Sequence, residues 1–432
     1  MYDLDQAIDR RLYESWKWRH CDEDVLPLWI ADMDFKSPEP VLQALRRRIE
    51  HGVLGYAIEP PELRPVIVQR LRELYGWEVA PGELVFLSGV MAGLRLACRA
   101  LAGPGDGVLL QTPGYDSILD TPAMFGLSND EAELALRADG YYEVDGQALE
   151  RAISSRTRLF ALCNPHNPSG RVFTRRELET MAEICLRHKL IICSDEIHCG
   201  IVYRGHRHIP IASLDPEIAR STITLMAPSK TYNIAGVRCA FAVIQNPELR
   251  ATFEAARQGL VAGPDALGWV AALAAYRYGQ PWLDEVLRYL EGNRDLAARY
   301  VRTELPGVRM YPPEASFLAW LDCRQAGIPH EIHNIRFHKF FYERAKVAVY
   351  NGAFFGRPGR GFARLNFGCR RSTLIEGLDR IKRALISVTD KKGGAMTLVV
   401  VETSVTNQDG VHVADTARTV VIGPFVDSTD GA

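Results

Sequence analysis

Short apolar runs that each stop at polar or small residues constrain the fold of this chain more than any other feature. Residues 84–87, 108–110, 159–163, 190–193 and 223–226 are such runs. They close in turn on Ser88-Gly89, Thr112-Pro113-Gly114-Tyr115, Asn164-Pro165-His166-Asn167, Ser194-Asp195 and Pro228-Ser229-Lys230. Helical spacing fills gaps between them, most clearly over 175–188. Buried strands that alternate with helices and deliver polar residues at their C-terminal ends predict an α/β domain. Its sheet would be mostly parallel and flanked by helices, with a site along that edge.

The last of these strand ends carries the most chemistry. Lys230 follows Pro228, and Gly236 and Arg238 precede another apolar run at 239–244. A lysine at the mouth of a buried strand can form an imine with an aldehyde when its surroundings keep the amine unprotonated. Arg238 can return to the same site and hold a phosphate. Taken alone, the stretch reads equally well as a surface loop with two ordinary cations. A second anion site is expected at Gly89-Val90-Met91, where small residues lead into a helix whose first N–H groups and dipole favour negative charge.

Composition narrows the function classes. With 432 residues, 47% apolar and 24% charged, the chain is long enough for two or three domains with ordinary globular cores. A net charge of -2 gives no case for nucleic acid or an anionic membrane as partner. The acidic start Met1-Tyr2-Asp3-Leu4-Asp5 lacks the regions of a signal peptide. The nine cysteines form no C-x-x-C pair and read as small buried hydrophobes, so a cytoplasmic location is expected. His330, His333 and His338, with Glu331, read as a solvated helix face, and no metal site is expected.

Residues 1–50 contain Trp16, Trp18 and Trp29 and read as an arm laid on the main body. Residues 51–280 hold the alternating pattern and read as the large domain. Residues 281–390 read as a smaller α+β domain, with strands at 317–321, 347–349 and 363–367 and a helix over 332–344. Residues 391–432 read as an appended tail containing a β-hairpin around Asn407-Gln408-Asp409-Gly410.

Collected, Gly89-Val90, Tyr115, Asn167, Asp195, His198, Ser229-Lys230 and Arg238 suit pyridoxal 5′-phosphate. Lys230 would form the imine, Asp195 would pair with the pyridine nitrogen, Tyr115 would stack on the ring and Asn167 would bond its phenolic oxygen. Each residue has a structural reading by itself, such as helix cap, core aromatic or turn former. All of them at successive strand ends is far harder to explain that way.

Through Asn164-Pro165-His166-Asn167-Pro168-Ser169-Gly170, Ser194-Asp195-Glu196-Ile197-His198 and Ser229-Lys230 with Arg238, the chain resembles the fold-type I pyridoxal-phosphate enzymes of aminotransferase class I/II. Lys17-Trp18, residues 26–35 and Gly55-Tyr56 resemble the cystathionine β-lyase-type C–S lyases within that family. The resemblance implies an aspartate-aminotransferase-like fold with a seven-stranded sheet. It implies that Gly89, Val90, Met91, Ser229 and Arg238 cradle the phosphate and that Lys230 anchors the cofactor and serves as acid and base. It further implies that His198 stands where many members carry a tyrosine on the cofactor, that Arg364 grips the substrate α-carboxylate, and that Tyr56 reaches a neighbouring subunit in a homodimer. The activity implied is β-elimination from a cysteine S-conjugate such as cystathionine. Transamination is the alternative, and a regulatory binding role is a reading of another class. Trp29, Tyr115, Tyr232 and Phe354-Phe355 are expected to line the pocket and favour bulky or aromatic sulfur substituents. The tail faintly resembles the terminal hairpin of hot-dog-fold dehydratases.

Overall fold

The computed structural model describes residues 2–257, 261–328, 337–392, 397–406 and 412–422. Seven strands form its main sheet: β1 Leu84–Leu87, β2 Gly107–Thr112, β3 Ser128–Glu133, β4 Thr157–Cys163, β5 Ile191–Asp195, β6 Thr222–Met226 and β7 Ala240–Val243. In space they run β1-β7-β6-β5-β4-β2-β3. Strands β6 through β3 are parallel to their neighbours, and only β7 runs antiparallel, against both β1 and β6. Strands β1, β6 and β7 are buried along their whole length because helices cover both faces.

Strand β3 escapes the apolar-run reading for a physical reason. Its sequence, Ser-Asn-Asp-Glu-Ala-Glu, buries only Ala132. It is an edge strand with one neighbour, and charges there discourage pairing with another chain.

The helices follow their sequence signals. Arg175–Arg187 opens with a capping box in which Thr174 and Glu177 satisfy each other's backbone N–H. Leu63–Tyr75 stops at Gly76, whose φ of 67° suits glycine. The helices Ala266–Tyr278 and Gln280–Glu304 follow the sheet.

A second, antiparallel sheet runs Arg309–Met310, Leu318–Asp322, Phe362–Asn366, Tyr350–Asn351. The N-terminal arm is built into this part of the molecule, because Leu26–Pro27 pairs in parallel with Val347–Ala348. Lys17 is fully buried there and donates to Asp34 at 2.8 Å, while Arg10 and the Trp18 indole also donate to Asp34. Trp16, by contrast, is exposed, so not all of the arm's tryptophans are packed away.

Within the expected 332–344 helix, Phe337–Phe340 is helical and leads into a π-helical turn, Phe341–Ala345. His330, Glu331 and His333 lie outside the described residues. In the tail, Thr397–Thr406 pairs antiparallel with His412–Ile422, as the hairpin reading expects, while its turn lies outside the described residues. Among the described residues no helix is long and apolar enough to cross a membrane, no cluster of side chains could hold a metal, and no cysteine is paired.

Candidate active site

The C-terminal ends of the parallel strands converge on one cavity of about 450 Å³. Strand β5 ends in Asp195, β4 feeds the turn carrying Asn167, β2 leads to Tyr115 and β6 leads to Lys230. Strand β1 runs through Gly89 into the helix Val90–Leu101, whose first turn faces the cavity through Val90 and Met91. The N–H groups of that turn have no intrahelical acceptor, so they offer an anion a ready site. His198 and Arg364 complete the wall.

Lys230 is partly buried, and its Nζ donates to the Ala31 carbonyl at 2.5 Å. Burial lowers its pKa to about 8, with Arg364 adding to the fall and Asp32 and Asp195 opposing it. Asp195 is buried, accepts one hydrogen bond from Ile197 N, and forms no ion pair among the described residues. Burial therefore raises its pKa to about 6, with Glu196 adding to the rise. His198 is held neutral, because burial and the facing cations Lys230 and Arg364 lower it to about 3. Its Nδ1 sits 3.1 Å from Ser316 Oγ.

Arg364 is the least ordinary group in the site. It is 2% exposed and has no carboxylate partner among the described residues. One end donates to Asn167 Oδ1 at 2.9 Å and another to the Trp29 carbonyl at 3.3 Å, while Nε has no partner. Its guanidinium lies 4.7 Å from the Tyr350 ring centre and 5.0 Å from that of Phe355. Burial lowers its pKa to about 10. A buried cation so placed favours an anion brought in from outside the chain.

Of the residues singled out from sequence, Val90, Met91, Tyr115, Asn167, Asp195, His198, Lys230 and Arg364 all line this cavity. Gly89 and Ser229 flank lining residues. Arg238 does not line it, since its side chain is exposed at the surface. Tyr56 stands fully exposed outside the cavity of its own chain. Of the expected wall residues only Tyr115 lines this cavity, while Trp29 and Phe354 line a neighbouring one. Tyr232 and Phe355 are fully buried core side chains, Tyr232 packed against Tyr276 and Trp282.

Sequence reasoning missed Ala31, Asp116 and Tyr350, which do line the cavity, and Asp32, whose charge acts on Lys230. Tyr350 donates to the Asp116 carboxylate. It falls one residue beyond the expected 347–349 strand, the kind of position that had been informative in the main sheet.

The profile of the family "Aminotransferase class I and II" matches residues 23–381. The chain belongs to that family. Among curated relatives, "Cystathionine beta-lyase PatB" of Bacillus subtilis is 38% identical over 89% of this chain and its own full length. Among solved structures of the same fold, OvoB is 43% identical with a TM-score of 0.84, covering 89% of this chain and 100% of its own. Cystalysin from Treponema denticola, which contains pyridoxal 5′-phosphate, is 30% identical with a TM-score of 0.86 over 90% of this chain and 100% of its own. A "FAS1-like, dehydratase domain region" profile matches residues 380–416, where the tail begins.

The aminotransferase-family cavity fits pyridoxal 5′-phosphate on its own geometry. An unpaired buried carboxylate at Asp195 calls for a cation such as a protonated ring nitrogen. An amine of lowered pKa stands at Lys230, and unsatisfied helix N–H groups at Val90 and Met91 await an anion such as a phosphate.

Proposed function

We propose that the protein is a pyridoxal-phosphate-dependent carbon–sulfur β-lyase that acts on cystathionine or related cysteine S-conjugates and releases a thiol, pyruvate and ammonia. The observation that carries this reading is the arrangement of Lys230, Asp195 and Arg364 around one cavity, the arginine buried without a counterion among the described residues. A cysteine conjugate supplies that missing anion as its α-carboxylate.

The cofactor, when bound, supplies an electron sink for the charge left on the substrate Cα. Arg364 holds the carboxylate by a bidentate pair and so fixes the orientation of the Cα–H bond. Lys230 would anchor the cofactor and, as the free amine, would accept the Cα proton on Nζ. The Ala31 carbonyl, already bonded to that nitrogen, keeps the lysine in place. Asp195 would pair with a positive ring nitrogen, and Asn167 and neutral His198 would hold the phenolic oxygen. Tyr115 would stack on the ring. Gly89, Val90, Met91 and Ser229 would hold the phosphate. Loss of the thiolate from Cβ followed by hydrolysis would give pyruvate and ammonia.

The working form in this reading is a cytoplasmic homodimer. The segment after helix Glu39–Glu50 exposes Val53, Leu54, Tyr56 and Ile58, each by more than half of its surface, which suits burial against a second copy. Tyr56 then enters the partner's cavity. Residues 1–50 and 281–390 form the smaller domain around the cofactor domain 51–280, with 391–432 an addition to both.

Purified protein incubated with cystathionine tests the reading by pyruvate and free thiol, with and without a 2-oxo acid. Faster amino transfer to the 2-oxo acid than pyruvate release would make the protein an aminotransferase instead.

A further inference from the structure

We propose that a second cavity beside the active site receives the sulfur substituent of the substrate and selects planar aromatic or heteroaromatic groups. This rests on the carbon–sulfur lyase reading and names its substrate class. The second cavity has a volume of about 520 Å³ and shares Tyr350 with the first. Trp29 belongs to both regions as well, since its carbonyl accepts from Arg364 and the residue lines the second cavity.

The walls are a chain of rings. His20 and Trp29 have centres 5.4 Å apart, Trp29 and Tyr350 are stacked at 6.2 Å, Tyr350 and Phe354 meet at 5.8 Å, and Phe354 and His338 at 6.5 Å. A conjugate held by its carboxylate at Arg364 lies against Tyr350, because the guanidinium sits over that ring. Its sulfur arm therefore starts at the wall that the two cavities share.

The lining also argues against the leaving group of cystathionine. That group ends in an ammonium and a carboxylate, and both need partners when withdrawn from water. Among the described lining residues there is no arginine, and the two charged side chains, Lys339 and Glu343, pair with each other at 3.3 Å. A planar ring instead finds faces and edges at stacking distance. An apolar cavity of roughly 150 Å³ already holds one benzene ring, so this one admits a substituted or fused ring system.

The test compares the cofactor-loaded enzyme with Phe354→Ala. Phe354 is 55% exposed on a surface turn, so its truncation leaves the core intact. The substrates are S-phenyl-L-cysteine, S-methyl-L-cysteine and cystathionine. Wild type is expected to prefer the phenyl conjugate by kcat/KM. Phe354→Ala should lose roughly ten-fold on that substrate and stay within two-fold on the methyl one. Binding of α-methyl-S-phenylcysteine, which has no α-proton to remove, should weaken by the same factor in calorimetry. Equal loss on both substrates, unchanged binding of the α-methyl compound, or a preference for cystathionine overturns the subsite while leaving the lyase reading standing. Absence of pyruvate from all three conjugates overturns the lyase reading and the subsite with it.

Discussion

Arg364→Lys is the sharpest perturbation of the site. The guanidinium now spans Asn167 at 2.9 Å and the Trp29 carbonyl at 3.3 Å while stacking near Tyr350 and Phe355. Its unpartnered Nε leaves donor capacity for a bound carboxylate. An ammonium is a point charge that cannot present two parallel donors, nor stack as a plane on two rings. The variant thus loses about one charged hydrogen bond to the substrate, worth roughly 1.5–3 kcal/mol. At about 1.36 kcal/mol per decade this is roughly a 10- to 150-fold fall in kcat/KM. Pyruvate release from a cysteine conjugate, coupled to lactate dehydrogenase, measures it. The Lys230-bound cofactor absorbance should be unchanged, since no contact to Lys230 is removed. A conjugate of cysteamine, which lacks the carboxylate, should be cleaved equally slowly by wild type and variant. Activity within three-fold of wild type on the cysteine conjugate, or a discrimination that persists on the cysteamine compound, refutes the carboxylate grip.

Lys230→Ala should abolish turnover and the near-visible absorbance of the lysine-bound cofactor; retention of that absorbance, with borohydride trapping at another lysine, would show that a different residue is the anchor. Asp195→Asn should bind cofactor yet lose at least about two orders of magnitude in rate, measured in single turnovers, and a change of only a few-fold would assign the role elsewhere. His198 has a folded pKa of about 3 against an ordinary 6.5, so the unfolded chain binds the extra proton between these values and stability falls as pH drops. Urea titration of the cofactor-free protein should show wild type losing about 1.4 kcal/mol per pH unit relative to His198→Gln across that window, and parallel pH profiles would refute the buried neutral imidazole. A chain truncated after Lys392, where the closing helix ends, should keep its activity and Tm, because the two tail strands form a sheet of their own; aggregation or cofactor loss would mean the tail supports the body.

Most of the sheet was legible because its strands carry short apolar runs that stop at chemistry-bearing turns. Strand β3 was not, since an edge strand with one exposed face and charged residues has no apolar signature. The site was legible where backbone topology alone decides position, as at Asp195, Asn167 and Lys230. It was not legible where side-chain direction decides. Arg238 is near Lys230 in sequence, yet its side chain is exposed, and Tyr232, two residues past the lysine, turns into the core. Lys17 is the hardest case: nothing in a Trp-Lys-Trp-Arg helix signals a fully buried ammonium, which depends on Asp34 arriving from a later turn. Ala31 and Asp32 share that difficulty, because the loop that carries them meets Lys230 only through the folded arm.

The pairing of the arm with the far end of the chain also sets a timetable for folding. Asn366 holds the Ile30 carbonyl across 336 positions of sequence, and Leu26–Pro27 waits for Val347–Ala348. At about 5–20 residues per second of synthesis, the arm stays without these partners for roughly a quarter of a minute to a minute. Val25, Leu28 and Met33 are all buried in the finished protein. The earliest part of the chain is thus the last to be placed. Until it docks, Lys230 lacks the carbonyl that holds it, and a nascent chain with a complete main sheet still has this lysine unplaced.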